Sequence, residues 1–368
     1  MSKILSLVPY KFLPPTSGGH WGILFVEKLL STYNKVTTVT VAANEVKPGQ
    51  WPFTLKNVLT NSRSRYIPYW LTRQLRQLSQ SERPDYLFCH HHYLFPAVHY
   101  VARKQKVPLY IRSHNIESER FRTVGKWWWK LMWHFEKRAY RHADQVFFVT
   151  EDDAAWAVAH YGLPKDKAVV MPFLCDFDQV QTTDKDKLAV AREHGLNPDV
   201  PWFLFMGVLN YYPNEAAVKV IVEALYPLFK AQLPDFEIII CGKHLNETLQ
   251  EQIAAIPQIK YLGFVPDLNP ILQHSSVMIN PVTAGGGVKT KVIESLSWDL
   301  TVVSAATGAV GIEKQYCGQK LKIVPDTDWE GFARAAIHAA SVEAHIPDAF
   351  FEYYYLKNVA NRLQKYFV

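Results

Sequence analysis

The segment Pro281-Val-Thr-Ala-Gly285-Gly286-Gly287-Val-Lys289-Thr-Lys291-Val-Ile-Glu294 brings glycines, lysines and a carboxylate into one short stretch. An apolar run, Val277–Asn280, precedes it, and helical periodicity follows it. A strand, a glycine loop and a helix start make a phosphate cradle. Backbone N–H groups and the positive end of the helix dipole point at an anion, and glycines let the backbone come close. A nucleotide or a sugar phosphate suits that chemistry. Spacing excludes two common nucleotide signatures: Val288 stands where a P-loop needs glycine, and Thr290 stands where G-x-G-x-x-G needs its last glycine. Lys291 and Glu294 are i,i+3 neighbours, so a surface salt bridge beside a tight turn is the alternative reading.

Three further places carry chemistry. Gly18-Gly19 ends a loop after the first expected strand, where a βα loop binds ligands or simply turns. His114-Asn115-Ile-Glu117 follows a short strand. It offers an imidazole, an amide and a carboxylate that could position a hydroxyl or a phosphate, although Asn115 could equally cap a helix. His90-His-His92 has the look of a metal motif, but strand alternation sends neighbouring histidines to opposite faces, so no metal site is expected.

The elements that must position these residues are legible as alternation. Strand-length apolar runs recur at Ile4–Val8, Val36–Ala42, Tyr86–Cys89, Leu109–Arg112, Gln145–Val149 and Ala168–Met171. A second series runs through Trp202–Met206, Glu237–Ile240, Ile259–Leu262, Val277–Asn280, Thr301–Val303 and Leu321–Val324. Helical patterns separate them, including Gly22–Leu30, Ser118–Arg141, Asn214–Phe229 and Val288–Trp298. This predicts an α/β chain of two doubly wound, Rossmann-like domains facing across a cleft, with a break near Pro172–Asp178. The Lys126–Arg141 stretch is basic and rich in tryptophan. Trp128, Leu131, Phe135 and Ala139 form its expected buried stripe, and Trp127, Trp129 and Trp133 are left for an acceptor pocket, a membrane interface or a wider buried face.

Composition bounds the rest. The chain has 368 residues, 48% hydrophobic and 20% charged, which fits a soluble two-domain protein. The first apolar run is too short for a secretory leader, and no stretch is long enough to span a membrane. Four dispersed cysteines give no zinc spacing and fit a reducing cytoplasm. Residues 1–180 hold 24 Lys+Arg against 14 Asp+Glu, whereas the remainder holds 16 against 20. The basic half could attract an anionic membrane face or a phosphate-bearing substrate. No recognised nucleic-acid module accompanies it, and nucleic-acid binding is not expected.

Taken in order, these segments resemble the retaining, nucleotide-sugar-dependent glycosyltransferases of the GT-B type, family 4. The resemblance runs from Gly18-Gly19 through His114–Glu117, Tyr140–Thr150, Phe205–Gly207 with Pro213-Asn214, Ile240–Gly242, and Gly263–Leu268 to Gly285–Glu294. It implies an acceptor-binding domain over 1–173, a nucleotide-sugar-binding domain over 174–347, and a final helix, 348–368, returning to the first domain. Glu294 then holds the donor ribose, and Lys291, with Lys289, meets the diphosphate. Gly207, Asn214, Gly242 and Gly285–Gly287 line the donor, while Val265, Asp267 and Leu268 grip the base. Gly18 and Gly19 approach the diphosphate. His114, Lys291 and Glu294 are the implied catalytic residues, and His114, Asn115 and Glu117 lie on the acceptor side. The family often has a glutamate where this chain has Gly286, which leaves the hold on the donor sugar open. The implied activity is metal-independent, retaining transfer of a hexose to a glycan or lipid-linked acceptor in cell-surface polysaccharide synthesis. No cofactor is implied, and the expected location is cytoplasmic, at the inner membrane face. A sugar-nucleotide epimerase or a non-catalytic sugar-nucleotide-binding subunit are the alternatives.

Overall fold

The computed structural model describes residues 1–45 and 49–367. The chain divides into two compact units, one of Met1–Asp176 joined by the C-terminal residues from Tyr353, the other of Phe177–Glu352.

The first unit is a seven-stranded parallel sheet of β1 (Lys3–Val8), β2 (Lys35–Val41), β3 (Thr54–Leu59), β4 (Tyr86–His90), β5 (Leu109–Arg112), β6 (Gln145–Phe148) and β7 (Ala168–Val170). Their spatial order is β3-β2-β1-β4-β5-β6-β7. The order reverses between β1 and β4, so a crevice opens at the carboxyl ends of those strands. The sequence reading omits β3. Its residues, Thr-Leu-Lys-Asn-Val-Leu, form the sheet edge with Leu59 alone of the six buried, and they show no apolar run.

Two helical expectations are corrected. Ser118–Arg141 is not one helix but two, Glu117–Thr123 and Trp129–His142, separated by a turn with Gly125 at φ 68°. The C-terminal helix is also broken, into Asp348–Tyr354 and Leu356–Leu363. At the break the Cys175 N–H donates to the Tyr354 carbonyl at 3.0 Å, and the Leu356 N–H donates to the Cys175 carbonyl at 3.0 Å. Leu356, Val359, Ala360, Leu363 and Phe367 then pack into the same core as Leu29 and Leu30.

The tryptophan-rich helix also faces differently from the expected stripe. Its buried residues are Glu136, Ala139 and Tyr140, while Leu131 is 72% and Trp127 89% exposed. The inward face centres on Glu136 because its carboxylate accepts the N–H groups of Glu117 (3.0 Å) and Ser118 (2.9 Å), capping the preceding helix. Tyr140 and Tyr161 also donate to it, at 2.9 and 2.7 Å.

The second unit is a six-stranded parallel sheet of β8 (Trp202–Met206), β9 (Glu237–Cys241), β10 (Ile259–Gly263), β11 (Val277–Asn280), β12 (Thr301–Ala305) and β13 (Leu321–Val324). Its order is β10-β9-β8-β11-β12-β13. Every residue of β8, β9, β11 and β12 is buried, as strands covered on both faces require. Here the order reverses between β8 and β11, and the glycine loop leaves the carboxyl end of β11.

Candidate active site

In the second unit, the loops after β8, β9, β10 and β11 gather the expected donor residues. Gly207 follows β8, and its N–H donates to the Cys241 carbonyl at 3.0 Å. Gly242 follows β9 so closely packed that a Cβ there would lie 1.8 Å from the Gly207 carbonyl oxygen. Only glycine fits that approach. Asn214 opens the helix Tyr212–Val220 and donates from Nδ2 to the Val208 carbonyl at 3.0 Å.

Lys291 lies at the start of the helix Thr290–Ser297, and its side chain turns inward rather than toward Glu294. Its Nζ donates to the Met206 carbonyl at 3.2 Å and to Asn214 Oδ1 at 3.1 Å, and it sits 4.0 Å from the centre of the Phe205 ring. Among the described residues no carboxylate pairs with it. Burial, with Lys289 nearby, lowers its pKa to about 7. The surface salt bridge with Glu294 therefore does not form. The Glu294 side chain is exposed, and among the described residues nothing pairs with its carboxylate. The protein crowded around it raises its pKa to about 7, a shift that its contact with water moderates.

Lys289 takes a different part from the one expected. Its Nζ donates to the carbonyls of Gly285 (2.7 Å), Gly286 (3.3 Å) and Gly287 (3.0 Å). Three donors meet three acceptors, so this lysine ties the loop together. Gly285, at φ 82°, packs where a Cβ would lie 2.9 Å from Pro213 and 3.0 Å from the Tyr211 hydroxyl. After β10, Asp267 Oδ1 accepts the Asn269 N–H at 3.2 Å, and the Leu268 carbonyl accepts the Leu272 N–H at 3.0 Å. Both thus serve the helix that follows. The Val265 backbone has no hydrogen bond within the described residues, which leaves one donor and one acceptor open.

In the first unit, Gly18 and Gly19 are not in a loop. They form the first turn of the helix Gly18–Ser31, whose N-cap is Ser17. His114 lies just beyond β5. Its Nε2 is 3.1 Å from His90 Nδ1, and its ring stacks on His91 with centroids 4.3 Å apart. Strand alternation fails here because His91 has left β4 in a left-handed conformation, φ 61°, so His90 and His91 both reach His114. Burial, then His91, His90 and Arg112, hold the His114 imidazole well below its ordinary pKa. Asn115 does not cap the next helix; Glu136 does. Glu117 is buried and committed, taking Arg120 Nε at 3.1 Å, Arg120 Nη2 at 2.5 Å and the Tyr93 hydroxyl at 2.5 Å. Asn115 Nδ2 donates to Glu117 Oε1 at 3.4 Å, and among the described residues His114 Nδ1 and Asn115 Oδ1 keep no protein partner.

Sequence reasoning missed Glu27. Its signal was a carboxylate inside the apolar stripe Ile23-Leu24-Val26-Leu29-Leu30. It also missed Gly308, where a Cβ would lie 2.5 Å from Asn280 Nδ2. Among the described residues no group of three or more His, Cys, Asp or Glu could hold a metal ion. Asp-x-Asp occurs at 176–178, 184–186 and 326–328; Asp176 pairs with Lys28, Asp186 caps the helix Lys187–His194, Asp326 accepts from Thr307, and Asp328 caps the helix Trp329–Ala340.

Residues 26–179 match the family Glycosyltransferase Family 4, and residues 200–341 match Glycosyl transferases group 1. The chain is a GT-B glycosyltransferase of group 1/family 4. The glycosyltransferase is 23% identical over 363 residues to an "Uncharacterized 44.6 kDa protein in cps region" of Klebsiella pneumoniae, covering 89% of this chain and 88% of that one. It is 27% identical over 146 residues to a processive diacylglycerol beta-glucosyltransferase of Staphylococcus haemolyticus, covering 39% of this chain and 34% of that one. Two solved structures share its fold at 14% identity and a TM-score of 0.76. One is a glycosyltransferase from Rickettsia africae, with 100% of this chain and 97% of that chain covered. The other is Anabaena HepE in complex with UDP, with 100% and 99% covered.

Proposed function

We propose that this glycosyltransferase takes a sugar from a nucleoside-diphosphate sugar and transfers it, with retention of anomeric configuration, to a glycan or lipid-linked acceptor of a cell-surface polysaccharide. The observation that carries the donor assignment is Lys291. A buried ammonium whose partners are a carbonyl and an amide oxygen has no counter-charge of its own, and an anion is what that position lacks. Two features of the same helix support it. The helix Thr290–Ser297 has no side-chain cap at its N-terminus, so its first N–H groups are open to an anion. The unpaired Glu294 carboxylate on the same helix suits a pair of ribose hydroxyls.

In this mechanism the bond from the anomeric carbon to the leaving phosphate breaks while negative charge grows on that phosphate. Lys291 and the helix N-terminus stabilise the charge, so the reaction as proposed proceeds without a divalent metal. His114 orients a substrate hydroxyl and is not a covalent nucleophile. The acceptor enters on the same face as the departing phosphate, which takes up its proton. Support for the donor class comes from HepE, whose structures hold UDP and UDP-glucose. The relative in a cps region supports the polysaccharide role. The exposed Trp127 and Leu131 beside Lys126 and Lys130 support docking on an anionic membrane from the cytoplasmic side. Among the described residues no helix is long and apolar enough to cross a membrane.

A second reading, a sugar-nucleotide-binding subunit without transfer activity, is favoured by Gly286 standing in place of the usual glutamate. One experiment separates the two. UDP-, GDP-, ADP- and CDP-sugars are screened by thermal shift, and the best binder is then incubated with extracted glycolipid acceptors and with EDTA. A raised Tm with EDTA-insensitive transfer is expected. Binding without transfer or hydrolysis selects the subunit reading. Donor interconversion without acceptor selects an epimerase.

A further inference from the structure

We propose that Glu27 and His90 form a buried relay that fixes the ring tautomer of His114, so that His114 presents Nδ1 as a bare acceptor to a substrate hydroxyl. The proposal rests on the reading that His114 meets substrate.

Glu27, His90, Ser6 and Thr38 are all fully buried. Three donors converge on the Glu27 carboxylate: Ser6 Oγ at 2.6 Å and His90 Nε2 at 2.8 Å on Oε1, and Thr38 Oγ1 on Oε2. Carboxylate oxygens accept, which suits that convergence. It orders the next link. In this relay His90 gives Nε2–H to Glu27, and its Nδ1 is the acceptor. The atom facing Nδ1 at 3.1 Å is His114 Nε2, so that nitrogen must carry the proton. Neutral His114 is left with a lone pair on Nδ1, which has no partner among the described residues. The stack of His91 on His114, 21° from parallel, holds the ring plane while the hydrogen bond fixes its rotation.

The chain of contacts has a chemical use. A hydroxyl that donates to Nδ1 is oriented, and its oxygen lone pairs are directed elsewhere, without a full proton transfer. The opposite tautomer would present N–H at the same place and repel the hydroxyl proton. Glu27 and His90 touch no substrate in this account. They are positioning residues, and the second-layer logic is that of carboxylate–histidine pairs that set the tautomer of an outer imidazole.

The test is long-range 1H–15N correlation spectroscopy on the full chain with 15N-labelled histidine at neutral pH. The His114 signals are assigned by their loss in His114→Gln. In the wild type, His114 is expected to be protonated on Nε2 only. His90→Phe removes the acceptor and should give a mixture of tautomers, with kcat for transfer down about tenfold or more and donor KM changed by no more than about twofold. His90→Asn, whose Oδ1 can stand near the former Nδ1, should restore the wild-type tautomer and most of kcat. A wild-type His114 protonated on Nδ1, or an unchanged tautomer in a folded His90→Phe, overturns the relay. If His90→Phe does not fold, the wild-type spectrum and His90→Asn still decide. The Nε2–H tautomer in a protein that binds no sugar nucleotide would leave the relay standing and overturn the functional reading instead.

Discussion

Lys291 Nζ and Asn214 Oδ1 lie 3.1 Å apart, and this contact joins the helix that follows β11 to the helix that follows β8. The two strands flank the reversal of strand order in their sheet, where open α/β sheets bind ligands. Asn214 also donates to the Val208 carbonyl, so one amide holds the ammonium and the turn after β8 together. Asn214→Leu removes both bonds and leaves the lysine with one acceptor. It should lower unfolding free energy by about 1–3 kcal/mol in urea titration, and it should weaken donor binding more at pH 8 than at pH 6, because protonated Lys291 loses a partner.

Lys289 and Lys291 should separate cleanly by mutation. Lys289→Met cuts the bonds to Gly285, Gly286 and Gly287 and loosens the loop. Its donor affinity should fall while the alkaline limb of binding persists, moved to higher pH because the neighbouring charge that depresses Lys291 is gone. Lys291→Met should remove the cation at the anion site, lowering affinity by about 2 kcal/mol, or roughly thirtyfold. Calorimetric titration with UDP-glucose at several pH values distinguishes the two.

Glu27→Ala leaves Ser6, Thr38 and His90 without their shared acceptor in a fully buried place. Removing one member of a buried charged cluster typically costs about 3–5 kcal/mol. Thermal unfolding should show a large drop in Tm, and Glu27→Gln, which keeps volume and one acceptor, a smaller one.

Much of this was legible from residue types. Lys291 and Glu294 stand in a segment whose glycines, charges and flanking strand all point to one ligand class, and the structure places that segment at a switch point. Glu27 was not legible. Hydrophobic periodicity treats it as a stray polar residue in the helix Gly18–Ser31, because its partner His90 lies 63 residues away and only the pairing of β1 with β4 brings the two together. The tryptophan-rich helix was misread for a related reason. Its inward face is set by Glu136 capping a neighbouring helix, a tertiary role that apolar spacing cannot show. The bonds from Lys289 to the loop carbonyls were not legible, because spacing gives its nearness to the loop but not the direction of its side chain.

The exposed residues at the start of that helix and in the turn before it make their own prediction. Trp127→Ser with Leu131→Ser should lower co-sedimentation with vesicles of anionic phospholipid and leave UDP-glucose affinity unchanged. Added salt should weaken the wild-type protein's vesicle binding, since Lys126 and Lys130 contribute a screened attraction. Equal sedimentation of wild type and double variant would remove the membrane role.

The central claim is that Lys291 and Glu294 together hold the donor, and their titration tests it. Lys291 has its pKa lowered from 10.5 to about 7, so in the free protein it loses its charge as pH rises through 7. Above that, binding a diphosphate must take up a proton, and affinity falls by up to about tenfold per pH unit. Glu294 has its pKa raised from 4.5 to about 7, so it gains charge over the same rise, at a somewhat lower pH given its exposure. The measurement is UDP-glucose affinity from pH 5.5 to 8.5, a range in which the diphosphate charge is constant and the uracil N3–H stays largely protonated. The wild type should show a maximum near pH 7. Lys291→Met should lose the alkaline limb, and Glu294→Gln the acid limb. A flat wild-type profile, or full affinity in Lys291→Met, would contradict the assignment of this site.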